Sequence, residues 1–311
     1  MPSRRPVRAA LVQAAPAYLD LPASLDRVGA FLEEASRLEA DLVVFGETWL
    51  PGYPAWLDVC PGAGIWDSEP VKAVYARLRR NSLVVDGPEA ARLGAEAKSR
   101  GLTLVIGVNE RVARGPGMGT LYNSLLTFTP DGRLANHHRK LVPTYTEKLV
   151  WGPGDGAGLR AVDTPAGRLG GLVCWEHWMP LARHALHESG EDIHVAVWPT
   201  VKETHQLASR HYAIEGRCFV LAAGLIMPAT DLAAELETPG VSGQVLRGGC
   251  AAYGPRGETL LEPVFEREGV FCVELDLDLL DRERMTLDVS GHYARADVLS
   301  LQVNASRPGT P

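Results

Sequence analysis

Short apolar runs typical of β-strands alternate with helical patterns along most of this chain, and this alternation most constrains the fold. The opening is a β-α-β pattern, in which strands over residues 7–14 and 41–45 flank a helix over 23–40. Further helices are predicted over 88–100, 180–188 and 202–217, and further strands over 102–108, 121–128, 134–138, up to Cys174, 193–198, 219–224 and 270–275. Asp86 is the predicted cap of the second helix and Gly101 its predicted end.

Two turn sequences add antiparallel pairs to this pattern. TPDG over 129–132 separates two predicted strands, and GPRG over 254–257 lies within a β-rich run over 251–264. Proline and glycine stand where tight turns need them, so both sequences predict hairpins, whereas 228–244 is loop-like. The chain is therefore predicted to be an α/β protein with two mixed sheets packed on each other and helices outside.

Composition sets the size of the core and the class of partner. The chain has 311 residues, of which 46% are hydrophobic and 22% charged, so it can bury a large core. No long Ser/Gly/Pro-rich or highly charged stretch divides it, which predicts a single domain over 1–311 with a C-terminal tail from about residue 286. The net charge is -7 without a clustered Lys/Arg stripe, which disfavours nucleic acid and anionic membranes as partners.

Signals for export, membrane insertion and metal binding are weak in this sequence. The amino-terminal region is too short and too polar for an export signal, and no stretch approaches the roughly twenty apolar residues that span a bilayer, so a cytoplasmic protein is expected. The five cysteines are widely spaced without a CxxC pair, which favours reduced thiols over disulfides. His184 and His187 share a helix face near His177, but no further ligand accompanies them, and no metal is expected.

Cys174 lies where a nucleophile would be placed. The sequence GGLVCWEH carries it from an apolar strand into a helical turn, so its side chain would face the crevice at the end of a sheet. The amides of the turn and the helix dipole favour the thiolate over the thiol. The alternative is a small buried hydrophobe, which is how free cysteines usually behave. Glu176 is expected to support the turn.

Glu47 ends an apolar strand within the sequence FGETWLPGYP. The aromatic residues around it are Phe45, Trp49 and Tyr53. Partial burial beside them would raise the pKa of Glu47 toward the working pH of a general base. The alternative is a surface glutamate at a strand end.

Lys140 leaves a hairpin strand and enters a long loop. An ammonium there would stabilise developing negative charge, and Glu147 would orient it. The alternative is a solvated run of charges.

In combination, these segments resemble the nitrilase branch of the carbon-nitrogen hydrolase superfamily, whose sites combine a glutamate, a lysine and a cysteine in that chain order. The motifs that carry the resemblance are FGETWLPGYP around Glu47, HRKLVPTYTEKLVWGPGDG over 138–156 and GGLVCWEHWMPL over 170–181. A late GHYARAD is similar to the branch's His-Tyr-x-Arg-Pro-Asp segment. Ala157 and Ala296 depart from the serine and proline usual at those places, and neither departure touches the chemistry.

The resemblance implies a four-layer α-β-β-α sandwich that assembles into homo-oligomers, either dimers or longer spirals. It also implies that Glu47 deprotonates Cys174, which attacks the carbon of a nitrile. Lys140, held by Glu147, would stabilise the charge that develops. A carboxylic acid and ammonia would form through thioimidate and thioester intermediates, with no metal or organic cofactor.

The small-molecule nitrile would lie against aromatic walls, which suit aryl or arylaliphatic substrates. The residues predicted for these walls are Trp49, Tyr53, Pro54, Trp151, Trp175, His177, Trp178, Trp198 and the loop after Met227. Three alternatives stay open: an amide hydrolase (amidase or carbamoylase) of the same superfamily, a cyanide-hydrolysing enzyme, and a non-catalytic scaffold member.

Overall fold

A computed structural model describes residues 5–307 of the chain and arranges its strands in two sheets. The strands are β1 (Val7–Gln13), β2 (Leu42–Phe45), β3 (Thr103–Arg111), β4 (Leu121–Phe128), β5 (Leu134–Arg139), β6 (Val162–Thr164), β7 (Gly167–Val173), β8 (Ile193–Val197), β9 (Phe219–Ala223), β10 (Ile226–Pro228), β11 (Gln244–Tyr253), β12 (Thr259–Phe265) and β13 (Gly269–Leu275). The helices are α1 (Leu21–Arg37), α2 (Trp56–Val59), α3 (Glu69–Arg80), α4 (Pro88–Arg100), α5 (Pro180–Glu188), α6 (Glu203–Gly216) and α7 (Asp278–Glu283).

Both sheets are mixed, as the hairpin turns predicted. The first has the order β13-β1-β2-β3-β4-β5, with β1, β2 and β3 parallel and the outer strands antiparallel. The second has the order β10-β11-β9-β8-β7-β6, with β7, β8 and β9 parallel and β12 paired to β11. Each sheet therefore has a parallel centre, whose strands all end at one edge.

The inner strands are buried on both faces, which explains their continuous apolar sequences. In β1, Ala9 and Leu11 pack into the core between the two sheets, while Ala10 and Val12 pack into the core beneath the helices. Successive side chains of a strand point to opposite faces, so each face joins a different core.

Helices form the two outer layers. Helices α1 and α4 cover the first sheet through side chains such as Val28, Leu32 and Leu93, which are fully buried. Helices α5 and α6 cover the second sheet, with Leu186 and Tyr212 buried against it. The four-layer α-β-β-α sandwich implied by the resemblance is confirmed. None of the helices among residues 5–307 is long and apolar enough to cross a membrane.

Several element boundaries differ from the predicted ones. Helix α1 starts at Leu21 because Asp20 caps it, accepting a hydrogen bond from the amide of Ala23. Helix α4 has its predicted length and ends at Gly101 in the left-handed region (φ 64), but Gly87, rather than Asp86, is its cap residue.

Helices α2, α3 and α7 were not predicted, and neither were the three-residue strands β6 and β10. Helix α3 buries only Val74 and Leu78, so its sequence carries too little apolar periodicity to indicate a helix. Strand β11 starts at Gln244, well before the predicted 251, because the Gly248-Gly249 pair interrupts the apolar sequence without ending the strand.

Candidate active site

Three loops bring the predicted reactive side chains together at the crevice between the two sheets. Lys140 follows β5 directly, Cys174 follows β7 directly, and Glu47 follows β2 by two residues. Carboxylate oxygens of Glu47 and Glu147 and the sulfur of Cys174 all lie within 4.8 Å of one another. Residues from three separate strand ends therefore meet at one point.

Glu47 is completely buried and uses only one of its carboxylate oxygens. Oε1 accepts hydrogen bonds from Asn123 Nδ2 at 2.6 Å and from Lys140 Nζ at 3.1 Å. Oε2 has no hydrogen-bond partner among residues 5–307. The turn that holds Glu47 lies tightly against β3, where a Cβ on Gly107 would come within 2.3 Å of Gly46 O.

Burial raises the pKa of Glu47 to about 7, although the Lys140 ammonium opposes the shift. The sequence predicted a shift in this direction from burial among aromatic residues. A carboxyl with this pKa exchanges its proton readily near neutral pH, as a general base must.

Lys140 lies between two carboxylates. Its Nζ donates to Glu147 Oε2 at 2.6 Å as well as to Glu47. Burial alone would lower its pKa, but the surrounding acidic groups, Glu47 foremost, outweigh burial and raise the pKa above its ordinary value. Glu147 is fixed in turn by the amide of Thr144 at 2.6 Å and the hydroxyl of Tyr53 at 3.0 Å. Lys140 is thus permanently charged, and its side chain has little conformational freedom.

Cys174 starts a tight 3-10 turn and has a positive φ of 54, a conformation that few non-glycine residues adopt. Burial, followed by the charge of Glu47, raises the pKa of its thiol well above the ordinary value. The turn acts in the predicted direction, because its amide lowers this pKa, but its contribution is the smaller one. The amide of Trp175 does bond to the sulfur, but desolvation outweighs that contribution.

Glu176 connects the cysteine turn to the lysine segment. Its buried carboxylate accepts hydrogen bonds from the amide of Val173 at 2.7 Å, the amide of Leu141 at 2.8 Å and His138 Nε2 at 2.9 Å. Burial opposes its ionisation, but His138 and the two amides lower the pKa of Glu176. The predicted support of the turn thus extends across both sheets.

A cavity of about 600 Å³ opens over Cys174 and Glu147. Its lining residues are Tyr53, Asp58, Val59, Thr144, Tyr145, Thr146, Glu147, Cys174, Trp175, Pro199, Thr200, Lys202, Thr204, His205, Val245 and Leu246. Tyr53 and Trp175, from the predicted wall residues, lie in this lining. Many other lining side chains carry hydroxyls or charges, so the wall is more polar than the sequence predicted.

The remaining predicted wall residues lie outside this lining. Trp49 is fully buried beneath the Glu47 turn, and its indole donates to Ala14 O at 2.9 Å. Trp151 packs edge-on against Tyr53 and donates to Asn109 Oδ1 at 2.9 Å.

His177 and Trp198 stack on each other behind the cysteine turn, with ring centroids 4.6 Å apart. Both are buried and do not line the cavity. Trp178 is 41% exposed on the outer surface, because the 3-10 turn directs it away from the crevice. Pro54 and Met227 are also absent from the lining, although Val245 and Leu246 come from the chain that follows the loop after Met227.

Asn123, a contact of Glu47, was missed by sequence reasoning. It lies in the buried strand β4, where a polar side chain on the same strand face as Leu121 and Leu125 is the signal that could have marked it.

Among residues 5–307, Glu47, Glu147 and Cys174 form one group close enough to ligate a metal ion. The Lys140 ammonium already bonds both of these carboxylates, so a cation placed there would meet a fixed positive charge. The donor set is therefore poorly suited to a metal. His177 is buried beside His194, whereas His184 is half exposed and pairs with Glu188, so His177, His184 and His187 do not meet at one point.

Known proteins resemble this chain along almost its whole length. A family model described as Carbon-nitrogen hydrolase matches residues 8–284. A protein named Nitrilase from Paraburkholderia phymatum is 37% identical over 319 residues, which cover 100% of this chain and 90% of that protein. A protein named Bifunctional nitrilase/nitrile hydratase NIT4 from Oryza sativa subsp. japonica is 39% identical, covering 96% of this chain and 84% of that one. A crystal structure of a carbon-nitrogen hydrolase from Helicobacter pylori G27 has a TM-score of 0.73 at 21% identity, covering 94% of this chain and 96% of that one.

Proposed function

Because the chain belongs to the carbon-nitrogen hydrolase family, we propose that it is a nitrilase, which converts a nitrile into a carboxylic acid and ammonia. The observation that carries the proposal is the convergence of Glu47, Lys140 and Cys174, with Glu147 holding the lysine and with Cys174 and Glu147 lining one cavity. This arrangement supplies a base, a fixed positive charge and a nucleophile within reach of a single carbon atom.

In the first half-reaction, the sulfur of Cys174 adds to the nitrile carbon. The thiol proton passes to the free Oε2 of Glu47 and then to the nitrile nitrogen, which gives a covalent thioimidate. The raised pKa of the thiol means that the proton leaves as the bond forms. Lys140 and the amide of Trp175 would stabilise the developing charge, and each such donor contributes on the order of 3 kcal/mol.

In the second half-reaction, Glu47 takes a proton from a water molecule that adds to the thioimidate carbon. The tetrahedral intermediate expels ammonia, protonated through Glu47, and leaves a thioester on Cys174. A second water hydrolyses the thioester to the carboxylic acid and restores the thiol. Two waters are consumed for each nitrile, and the site ends in its starting protonation state.

The test is to measure ammonia, acid and amide released by the purified protein from phenylacetonitrile, benzonitrile, a dinitrile and cyanide. The polar cavity wall is a reason to add nitriles that carry hydroxyl or charged groups. We expect ammonia and acid in equal amounts from at least one nitrile, and none from Cys174→Ala. Cys272→Ala is the matched control, because this thiol is half-buried on the edge strand β13. Full turnover by Cys174→Ala would overturn the proposal.

Amide chemistry is the second candidate, and the name of the rice relative, which joins nitrilase to nitrile hydratase, favours including it. If the tetrahedral intermediate expels the sulfur in place of ammonia, the product is an amide. The ratio of amide to acid measures this partition. A much larger rate constant on matched amides than on nitriles would make the protein an amide hydrolase instead.

The site and fold also support proposals about the protein's environment. All five cysteines are free in the structure, which supports a reducing, cytoplasmic location. Exposed apolar side chains on or next to α5 and α6, such as Trp178, Leu181 and Leu207, support assembly into a homo-oligomer. Light scattering that finds only a monomer at micromolar concentration would contradict the assembly.

A further inference from the structure

A continuous chain of buried polar groups leads away from the backbone of the cysteine turn. His177 Nδ1 lies 2.7 Å from Cys174 O, and His177 Nε2 lies 3.0 Å from His194 Nε2. His194 Nδ1 lies 2.9 Å from Glu191 Oε2, and the hydroxyl of Tyr212 contacts Glu191 Oε1. All of these side chains are buried, and none is used by the mechanism above.

The geometry fixes where the protons of this chain lie. A carbonyl oxygen only accepts, so Nδ1 of His177 must carry a proton, and its Nε2 must accept one from His194 if the ring is neutral. Nδ1 of His194 is then bare and must accept from Glu191, which requires a protonated carboxyl. Burial lowers the pKa of both histidines well below the ordinary value, so both rings are neutral near pH 7.

We propose that Glu191 is a positioning residue for the reaction: its protonated carboxyl, acting through His194 and His177, holds the carbonyl of Cys174. The inference rests on the proposed function, because that function makes Cys174 the nucleophile. Loss of the Glu191 proton reverses the two hydrogen bonds of His194, those to Glu191 and to His177. Nδ1 of His177 becomes a bare acceptor facing Cys174 O, and the cysteine turn loses a donor that holds its left-handed conformation.

Glu191 is surrounded in a way that favours the neutral acid. It lies against β7 at Gly170, where a Cβ would come within 1.9 Å of Glu191 Oε2. Burial raises its pKa to about 7 against the opposing effects of His187, Tyr212 and Arg284.

The other titratable and charged groups that face Glu191 are few. His187 Nδ1, from α5, lies 3.6 Å from Glu191 Oε1, while its Nε2 pairs with Glu215 of α6. Arg284, after α7, donates to the backbone oxygen of Glu191 and to Asp192, and the thiol of Cys218 is also near enough to interact electrostatically. His194 and Tyr212 complete the set, so Glu191 has no ammonium or guanidinium on its carboxylate among residues 5–307.

A second cavity borders Glu191, whose carboxyl group is itself almost completely buried. It has a volume of about 180 Å³ and is lined by Glu191 together with residues of α5, α6 and the C-terminal segment. Those other lining residues are His187, Gly190, Gly216, Arg284, Asp288, Val289 and Ser290. This cavity shares no lining residue with the substrate cavity, so we expect the proton on Glu191 to exchange with water from this side.

The decisive variant is Glu191→Gln, whose amide can donate to His194 and accept from Tyr212 at every pH. We expect wild-type kcat/KM to fall about tenfold as the pH rises from 6.5 to 8.5, and this alkaline fall to disappear in Glu191→Gln. Tyr212→Phe removes a hydrogen bond that lowers the pKa of Glu191, so its alkaline fall should move to higher pH. An alkaline fall unchanged in both variants would overturn the proposal.

A readout that needs no substrate separates this inference from the proposed function. Nitrogen-15 NMR of histidine-labelled protein distinguishes a ring protonated on Nδ1 from one protonated on Nε2. We expect His177 to carry its proton on Nδ1 at pH 6, to shift toward Nε2 above pH 8, and to stay on Nδ1 throughout in Glu191→Gln. An Nε2 proton on His177 at pH 6 overturns the positioning chain. Absence of nitrile turnover with the expected NMR result would overturn the proposed function alone.

Discussion

At the scale of single residues, the site depends on one oxygen atom that has no hydrogen bond. Oε2 of Glu47 is buried and unpartnered among residues 5–307, while Oε1 is held by Asn123 and Lys140. Leaving a buried acceptor without a hydrogen bond costs free energy. We infer that Oε2 stays unpartnered because it receives a proton during the reaction. The carboxylate is oriented by one oxygen and reacts with the other.

Glu47→Gln should therefore keep the arrangement of the active site but remove its general base. We expect the rate of ammonia release to fall roughly 10²- to 10⁴-fold, the usual contribution of general base catalysis. In the unmodified protein, activity should rise with pH up to about 7, because Glu47 must lose its proton before it can accept the proton of the thiol. Stopped-time assays of ammonia between pH 5 and 8 measure both effects.

Asn123→Ala is a milder change than Glu47→Gln, because it removes one hydrogen-bond donor to Glu47 and leaves the carboxyl in place. This change should raise the pKa of Glu47 and move the acid side of the profile to higher pH, since the Asn123 hydrogen bond lowers that pKa. An acid side that stays unmoved in Asn123→Ala would show that Glu47 does not set it.

The reactive residues and Glu147, the partner of Lys140, were predictable, whereas Asn123, the partner of Glu47, was not. Glu47 and Cys174 each follow an apolar strand and Lys140 follows a hairpin strand, and strand ends meet at one edge of a sheet. Asn123 contacts Glu47 only because β4 pairs with β3 in a particular register, which no local pattern encodes. The aromatic residues failed as wall predictions because large apolar side chains fill a core as readily as they line a cavity.

At the scale of elements, the loops after β5 and β7 are joined by a single carboxylate. Glu176 binds the amides that flank both reactive loops, those of Leu141 and Val173. The parallel strands and their hairpins were predictable because apolar periodicity and turn residues are local signals. Helix α3 was not, because it is held by two buried side chains and otherwise faces solvent.

Glu176→Ala should leave two buried amides and His138 without their acceptor. We expect the free energy of unfolding to fall by roughly 3–5 kcal/mol, as when one member of a buried ionic network is removed. Glu176→Gln keeps one acceptor oxygen, so its free energy of unfolding should fall by less. Urea unfolding measures the change, and Glu262→Ala, at an exposed position on β12, is the matched control. Equal stability of Glu176→Ala and Glu262→Ala would contradict the role of Glu176 as the link.

At the scale of the whole molecule, buried ionisable groups make stability depend on pH. The pKa values of Glu110 and Glu176 are lowered by basic and hydrogen-bonding neighbours that outweigh burial, and the pKa of Glu215 is lowered to about 2 in the same way. The buried rings of His177 and His194 have lowered pKa values as well, chiefly through burial. Each of these groups binds more protons in the unfolded chain than in the folded one at acidic pH.

Stability should therefore fall steeply between about pH 4.5 and pH 2, the window between the unfolded pKa of a glutamate and the folded pKa of Glu215. From pH 4.5 to 6.5 the curve should be flatter. In that range His177 and His194 increase the stability as the pH rises. Glu47 and Glu191, whose pKa values are raised to about 7, decrease the stability over the same range. The midpoint of urea unfolding at pH 3, 4.5 and 6.5 measures this, and equal midpoints at pH 3 and 6.5 would contradict it.

The two cavities lie at opposite ends of β8: Glu191 precedes the strand, and Pro199 and Thr200 follow it. A bound nitrile would cover Cys174, next to Glu47, but would leave the cavity that borders Glu191 open. Saturation with substrate should therefore shift the acidic side of the pH profile, so that kcat and kcat/KM differ there, while both share one alkaline pKa. The sandwich thus separates the proton that Glu47 transfers during the reaction from the proton on Glu191 that holds the cysteine turn.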